Sequence, residues 1–151
     1  MRLTIAQVAN LLEAHKALDG YDRVVKDGNT EKVVKQPYEI GFGFSLLIAE
    51  NVEALTAVVT RFNKERDKRV LRYSGGETSL QLPSGSDAAK AFSKEMHEAS
   101  ELEHDVDLHL INFDELKGDV NKYPPSLLAG LMPVRKKAAE LVESSRGPKS
   151  A

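Results

Sequence analysis

The stretch SLLIAENVEALTAVVTRFNKERDKRV, residues 45–70, decides the fold. Within it Ile48, Val52, Leu55, Val59 and Phe62 recur at three- and four-residue spacing. That period marks one face of a helix, here running to about Val70. Its second half is dense in charge, with Arg61, Lys64, Glu65, Arg66, Asp67, Lys68, Arg69 and Arg72. Gly41-Phe42-Gly43-Phe44 leads into it. These glycines lack the Gly-Lys-Ser/Thr ending of a phosphate loop and the third glycine of a dinucleotide fingerprint.

Downstream, Val70-Leu71-Arg72-Tyr73 and Ser79-Leu80-Gln81-Leu82 flank the turn Ser74-Gly75-Gly76-Glu77 and are expected to pair as a small β-hairpin. Pro83-Ser84-Gly85-Ser86-Asp87 then caps a second helix, in which Phe92, Met96, Ala99 and Leu102 keep helical spacing. Two long helices joined by a β-tipped connection predict an antiparallel helical hairpin over residues 45–103. The first helix ends basic, and the second becomes acidic at Glu95, Glu98, Glu101 and Glu103.

Toward the N-terminus, Thr4-Ile5-Ala6-Gln7 is a capping box. It opens a helix with Ile5, Val8, Leu11 and Leu12 on one face, ending near Leu18-Asp19-Gly20. His15 is expected at the surface or partly buried. Arg23-Val24-Val25-Lys26 and Glu31-Lys32-Val33-Val34-Lys35 flank Asp27-Gly28-Asn29-Thr30, a β-hairpin signal. A cation-binding reading of that turn fails for want of the other ligands of a calcium loop.

Toward the C-terminus, Val106, Leu108 and Leu110 alternate with Asp107 and His109, a strand pattern. Residues 112–118 read as a turn region. Pro124-Pro125-Ser126 opens a short helix with Leu127, Leu128 and Leu131, Pro133 interrupts it, and residues 134–144 can form a last helix. The expected fold is α+β and mainly helical: a long-helix hairpin with a β-hairpin tip, plus a small β-hairpin and strand element. Residues 1–143 form a single globular domain and 144–151 a polar tail.

The 21 Lys and Arg against 23 Asp and Glu give a formal charge of −2, which disfavours a protein that coats DNA. With no Cys, disulfides, Cys-based zinc sites, iron–sulfur clusters and Cys nucleophiles are excluded. No apolar run is expected to span a membrane, and the N-terminus lacks a signal-peptide core. A soluble, cytosolic protein is the expectation.

The densest polar cluster runs from Glu95 and His97 through His104, Asp105, Asp107 and His109. The zincin spacing His-Glu-x-x-His is absent, because His97-Glu98 is followed by Ala99-Ser100-Glu101. Asp105, Asp107 and His109 share one face by alternation, and a solvated strand face is the simpler reading. Acid/base pairs drawn from Asp107, Asp114 and Glu115 have no distance attached to them. Ser45, Ser93 and Ser126 lack a nucleophile-elbow context. The basic stretch from Arg61 to Arg72 is interrupted by Glu65 and Asp67, so nucleic-acid binding is expected to be weak. No catalytic, cofactor or metal residues are assigned.

The order of segments resembles small proteins of tailed bacteriophages, a group generally described as of unknown function. The matching pieces are Phe62-Asn63-Lys64-Glu65-Arg66, the Phe92…Glu95…Glu98 helix passing into Val106-Asp107-Leu108-His109-Leu110, and Pro124-Pro125-x-x-Leu128. The resemblance covers residues 45–133. It implies a viral genome and a role in protein contacts, and it brings no catalytic residues. The expectation is a non-enzymatic interaction protein, a virion component or assembly factor, resident in the host cytoplasm or the virion. Its partner is a phage or host protein, and no membrane is involved. The expected interaction surface comprises Glu95, Glu98, Glu101, Glu103, Asp105, Asp107, Arg66 and Arg69. One alternative is an inhibitor of a host enzyme or defence complex, acting through the acidic surface of residues 95–119. A second is a metal-dependent enzyme built on His97, His104, Asp107 and His109.

Overall fold

A computed structural model describes residues 1–75, 85–116 and 123–137. The fold is α+β and mainly helical. In order, it contains β1 (Arg2–Thr4), α1 (Ile5–Ala17), β2 (Tyr21–Asp27), β3 (Thr30–Gln36), α2 (Phe42–Tyr73), α3 (Asp87–Glu101), β4 (Glu103–Asp105) and α4 (Pro125–Leu131). Short 3-10 turns occupy Phe113–Glu115 and Met132–Val134. The strands form two separate antiparallel pairs, β1 with β4 and β2 with β3.

The chain divides into two compact units. The first holds residues 1–10 and 53–107, the second 11–52 and 108–151. The division falls inside both α1 and α2.

In the first unit β1 pairs with β4 through Arg2↔Asp105, Leu3↔His104 and Thr4↔Glu103. The capping box forms: the Thr4 amide donates to Gln7 Oε1 at 2.9 Å, and the Gln7 amide to Thr4 Oγ1 at 3.4 Å. Leu3, Val8, Leu55, Val58, Val70 and Val106 are buried. At the C-terminal end of α2, Gly75 takes a φ of +73°, the left-handed state that stops a helix. Ser86 caps α3, its Oγ accepting from the Ala89 amide.

The expected hairpin tip is corrected here. Val70–Tyr73 is the last turn of α2, because Val70 is buried on the helix's inner line and the Ser74 amide donates back to the Val70 carbonyl. Its proposed partner, Ser79–Leu82, lies outside the described residues. The expected strand at Val106–Leu110 is also displaced. The ladder lies at Glu103–Asp105, and after it the Val106 amide donates to the Met1 carbonyl. The period-2 alternation persists in burial even so: His104, Val106, Leu108 and Leu110 are covered, while Glu103, Asp105, Asp107 and His109 are exposed.

In the second unit β2 and β3 form a ribbon in register from Tyr21↔Gln36 to Asp27↔Thr30. The two-residue turn places Gly28 at φ +63° with no positive φ at Asn29, the pattern of a II′ hairpin. Gly20, at φ +152°, sits so close to the ribbon that a Cβ would lie 2.6 Å from the Gln36 carbonyl oxygen. The core of this unit is Leu11, Leu18, Phe44, Ile48, Ile111, Leu127, Leu131 and Val134. Ile111 and Arg135 form an isolated parallel bridge. Arg135 is therefore extended, and the expected last helix does not begin at Val134. Residues 138–144 of that helix, and the expected tail, lie outside the described residues.

Helix α2 contains an 18-residue stretch of mean hydropathy 1.5, apolar and long enough by composition alone to cross a membrane. The sequence expectation of no such run overlooked it because Glu50, Asn51 and Glu53 interrupt the apolar letters without lowering the mean enough.

Candidate functional site

The site is built in the first unit, between α2 and α3. The two helices run antiparallel, as three contacts show. Tyr73 meets Phe92 edge-on at 6.2 Å between centroids. Arg69 Nε donates to Glu95 Oε1 at 2.7 Å, and the Tyr73 hydroxyl donates to Glu95 Oε2 at 2.7 Å. Beyond these contacts the apolar stripes do not close on one another. A groove of about 330 Å3 lies between them. Val58, Phe62, Met96, Ala99 and Leu102 supply its apolar lining. Arg61, Glu65, Arg66 and Arg69 border it from α2, Glu95 from α3, and His104 from β4.

Helix α3 contributes the small Ala99 to the lining, and α3 has no fully buried residue. Leu102 is 62% exposed. The helices are antiparallel as expected, yet of the α3 stripe Phe92, Met96 and Ala99 are only partly covered and Leu102 is exposed. The α2 stripe is corrected. Its buried line is Ile48, Asn51, Leu55 and Val58, one position off the expected Val52 and Val59.

The groove's charges are unequal in availability. Glu95 holds its proton less tightly than an ordinary carboxyl, chiefly through the Tyr73 hydroxyl and then through Arg69. Glu65 is lowered mainly by Lys68, with Arg69 adding to it. Both carboxylates are thus already matched. Arg69 is held charged by Glu95. Arg66 reaches only its neighbour Asp67, at 3.2 Å, and Arg61 has no ion-pair partner among the described residues. The groove therefore offers one cation without an ion-pair partner among the described residues, Arg61, and a second, Arg66, shared with Asp67, on a mostly apolar floor. His104 Nε2 is buried at its edge without a hydrogen-bond partner among the described residues.

Of the residues expected to form the interaction surface, Glu95, Arg66 and Arg69 come together at this groove. The others lie outside it. Glu98 and Asp107 are exposed. Glu101 lies 3.5 Å from His97, Glu103 lies 3.5 Å from Arg2, and Asp105 stands opposite Arg2 on β4. The last part of the acidic stretch, residues 117–119, lies outside the described residues. The sequence reading had Arg61 in an interrupted basic stretch and His104 in a candidate metal set, and it expected neither at a groove between the two helices. No local signal marked Arg61, because Glu65 at i+4 reads as its partner, whereas Glu65 pairs with Lys68 and Arg69 instead.

Among the described residues no group of three His, Asp or Glu side chains is placed to hold a metal. His97 faces Glu101, and His109 Nε2 contacts Glu50 Oε2. His15, expected near the surface, is 1% exposed in the second unit. Its Nδ1 donates to the Leu11 carbonyl at 2.7 Å, leaving Nε2 to accept from Asn51 Nδ2 at 3.1 Å. Asn51, 0% exposed, also donates to the His109 carbonyl and accepts from the His109 amide, at 3.0 and 2.8 Å. Burial lowers the His15 pKa, opposed in part by the Leu11 carbonyl. With Nδ1 on the Leu11 carbonyl and Nε2 on the Asn51 side chain, both ring nitrogens of His15 are engaged.

No protein-family model, no curated protein and no solved structure matches the chain.

Proposed function

We propose that this protein works through protein contacts and has no catalysis of its own, and that the α2–α3 groove receives an amphipathic helix from a partner. The observation that carries this reading is the unfinished seam. An apolar stripe on α3 stands without one buried residue beside a groove bordered by Arg61, which has no ion-pair partner among the described residues, and by Arg66, whose partner is the adjacent Asp67. Helices laid into such grooves anchor through apolar residues at i, i+3 and i+4. Carboxylates flanking those anchors would meet Arg61 and Arg66. The resemblance to tailed-phage proteins supplies the setting: a virion component or assembly factor, with a phage or host protein as partner, in the host cytoplasm or the virion. Asn51 and His15 favour a water-bathed globular core for α2 over a membrane, since their amides and ring are matched within the second unit.

The test is fluorescence anisotropy with a synthetic acidic amphipathic helix and its basic counterpart. The acidic peptide is expected to bind, and Leu102→Glu and Arg61→Glu are each expected to weaken it at least about tenfold, or about 1.4 kcal/mol. Equal binding of both peptides, or no effect of either substitution, contradicts the reading.

A second reading has its own observation. Glu98, Glu101, Glu103, Asp105 and Asp107 are all exposed in the first unit, a surface that an inhibitor of a host enzyme or defence complex could use to imitate nucleic acid. Reversing Glu98 and Asp107 to Lys separates the two, because neither residue lines the groove.

A further inference from the structure

The β2–β3 ribbon of the second unit is exposed along almost its whole length, on both faces. Two-stranded ribbons are marginal alone in water, and this one leaves Val24 at 58% and Val33 at 63% exposure. The register puts Val24 opposite Val33, with Asp22 opposite Lys35 on one side and Lys26 opposite Glu31 on the other. Side chains two apart share a face, so these six residues form one face. It reads anion–cation, valine–valine, cation–anion. Among the described residues none of the cross-strand charges closes into an ion pair within the ribbon; Lys35 alone has another neighbour, Asp19, at 3.9 Å.

We propose that this face binds the same face of a second copy of the chain. The alternating pattern is self-complementary under a two-fold axis. With the axis along the strands, Asp22 meets Lys35 and Lys26 meets Glu31 of the other copy. With the axis across the strands, Asp22 meets Lys26, and Lys35 meets Glu31. In both arrangements valine meets valine at the centre and no like charges face. This is the isologous geometry of two-fold dimers. The opposite face lacks the property. Arg23 stands beside Val34, and Val25 beside Lys32, so neither cation has a carboxylate across from it.

Seven residues of strand span roughly 23 Å, which makes the face smaller than the ~800 Å2 per partner of stable interfaces. The dimer is therefore expected to be weak and concentration-dependent.

Sedimentation equilibrium on the full chain, from low micromolar to near-millimolar concentration, tests this. The wild-type chain is expected to pass from monomer to dimer, and raising salt is expected to weaken the dimer several-fold. Val33→Glu is expected to weaken association at least about tenfold. Val34→Glu, the same change on the neighbouring residue and the other face, is expected to leave it unchanged. A wild-type chain that stays monomeric throughout overturns the proposal. So does association unaffected by salt, or equal loss in both variants, as edge-to-edge strand pairing would give. Far-UV circular dichroism of both variants separates loss of the face from loss of fold, and the salt response of the wild-type chain stands even if a variant unfolds.

Discussion

At residue 51 an amide side chain acts as a strand neighbour to residue 109, exchanging both main-chain hydrogen bonds with it and satisfying a buried imidazole as well. Buried polar groups left without partners cost about 1–3 kcal/mol each. Asn51→Leu strands the His109 main chain and the His15 ring nitrogen, so urea unfolding is expected to show a loss of about 2–4 kcal/mol. His15 gives this network a pH signature. Its folded pKa lies below the unfolded value of about 6.5. Above that value both states are neutral and the stabilisation is complete. As pH falls below it, the unfolded chain takes up a proton that the folded chain refuses, and stability declines until the folded pKa is reached. The decline attributable to this group is at most about 1.4 kcal/mol per pH unit. It is expected to vanish in His15→Gln, measured by unfolding between neutral pH and pH near 5. None of this was visible in the letters. The helical period was counted over apolar residues, so a polar Asn51 at the centre of the buried line pushed the count one position off, onto Val52 and Val59.

Among the elements, α2 owes its place to that buried line. Leu55 is 0% exposed, and Leu55→Ala is expected to cost about 2–5 kcal/mol in urea unfolding. Lys68, which faces solvent and Glu65, is expected to cost well under ~1 kcal/mol as Lys68→Ala. Helix α4 is positioned by Gly130, where a Cβ would lie 2.9 Å from the Ala14 Cβ. Gly130→Ala is therefore expected to destabilise by about 1–3 kcal/mol despite alanine's better helix propensity. Equal or greater stability would mean α1 and α4 separate without cost. The elements that sequence made legible were those with local chemistry: the Thr4–Gln7 capping box, the Asp27-Gly28 turn and the Ser86 cap. The elements that sequence misplaced depend on distant partners. Val70–Tyr73 is β-prone in isolation, yet tertiary burial of Val70 keeps it helical. The strand near residue 104 is set by where β1 offers its main-chain groups.

For the molecule as a whole, the arginines of α2 raise the question of nucleic acid. Arg69 is matched by Glu95 and Glu65, and Arg66 by Asp67. Binding to duplex DNA at physiological salt is expected to be weak and strongly salt-dependent. Sub-micromolar affinity, lost on Arg66→Glu and Arg69→Glu, would contradict that. The groove itself was only half legible. Its helices and three of its charged residues were expected, but an opening between two stripes depends on how closely the two helices approach, which no periodicity records. The central claim is that this groove, and no other surface of the protein, takes a partner helix. Methyl-resolved NMR during titration with an acidic amphipathic peptide tests it most directly. Saturable shifts are expected at Val58, Met96 and Leu102 with Leu127 and Leu131 unmoved; saturable binding that leaves Met96 and Leu102 unshifted rules out docking in the groove.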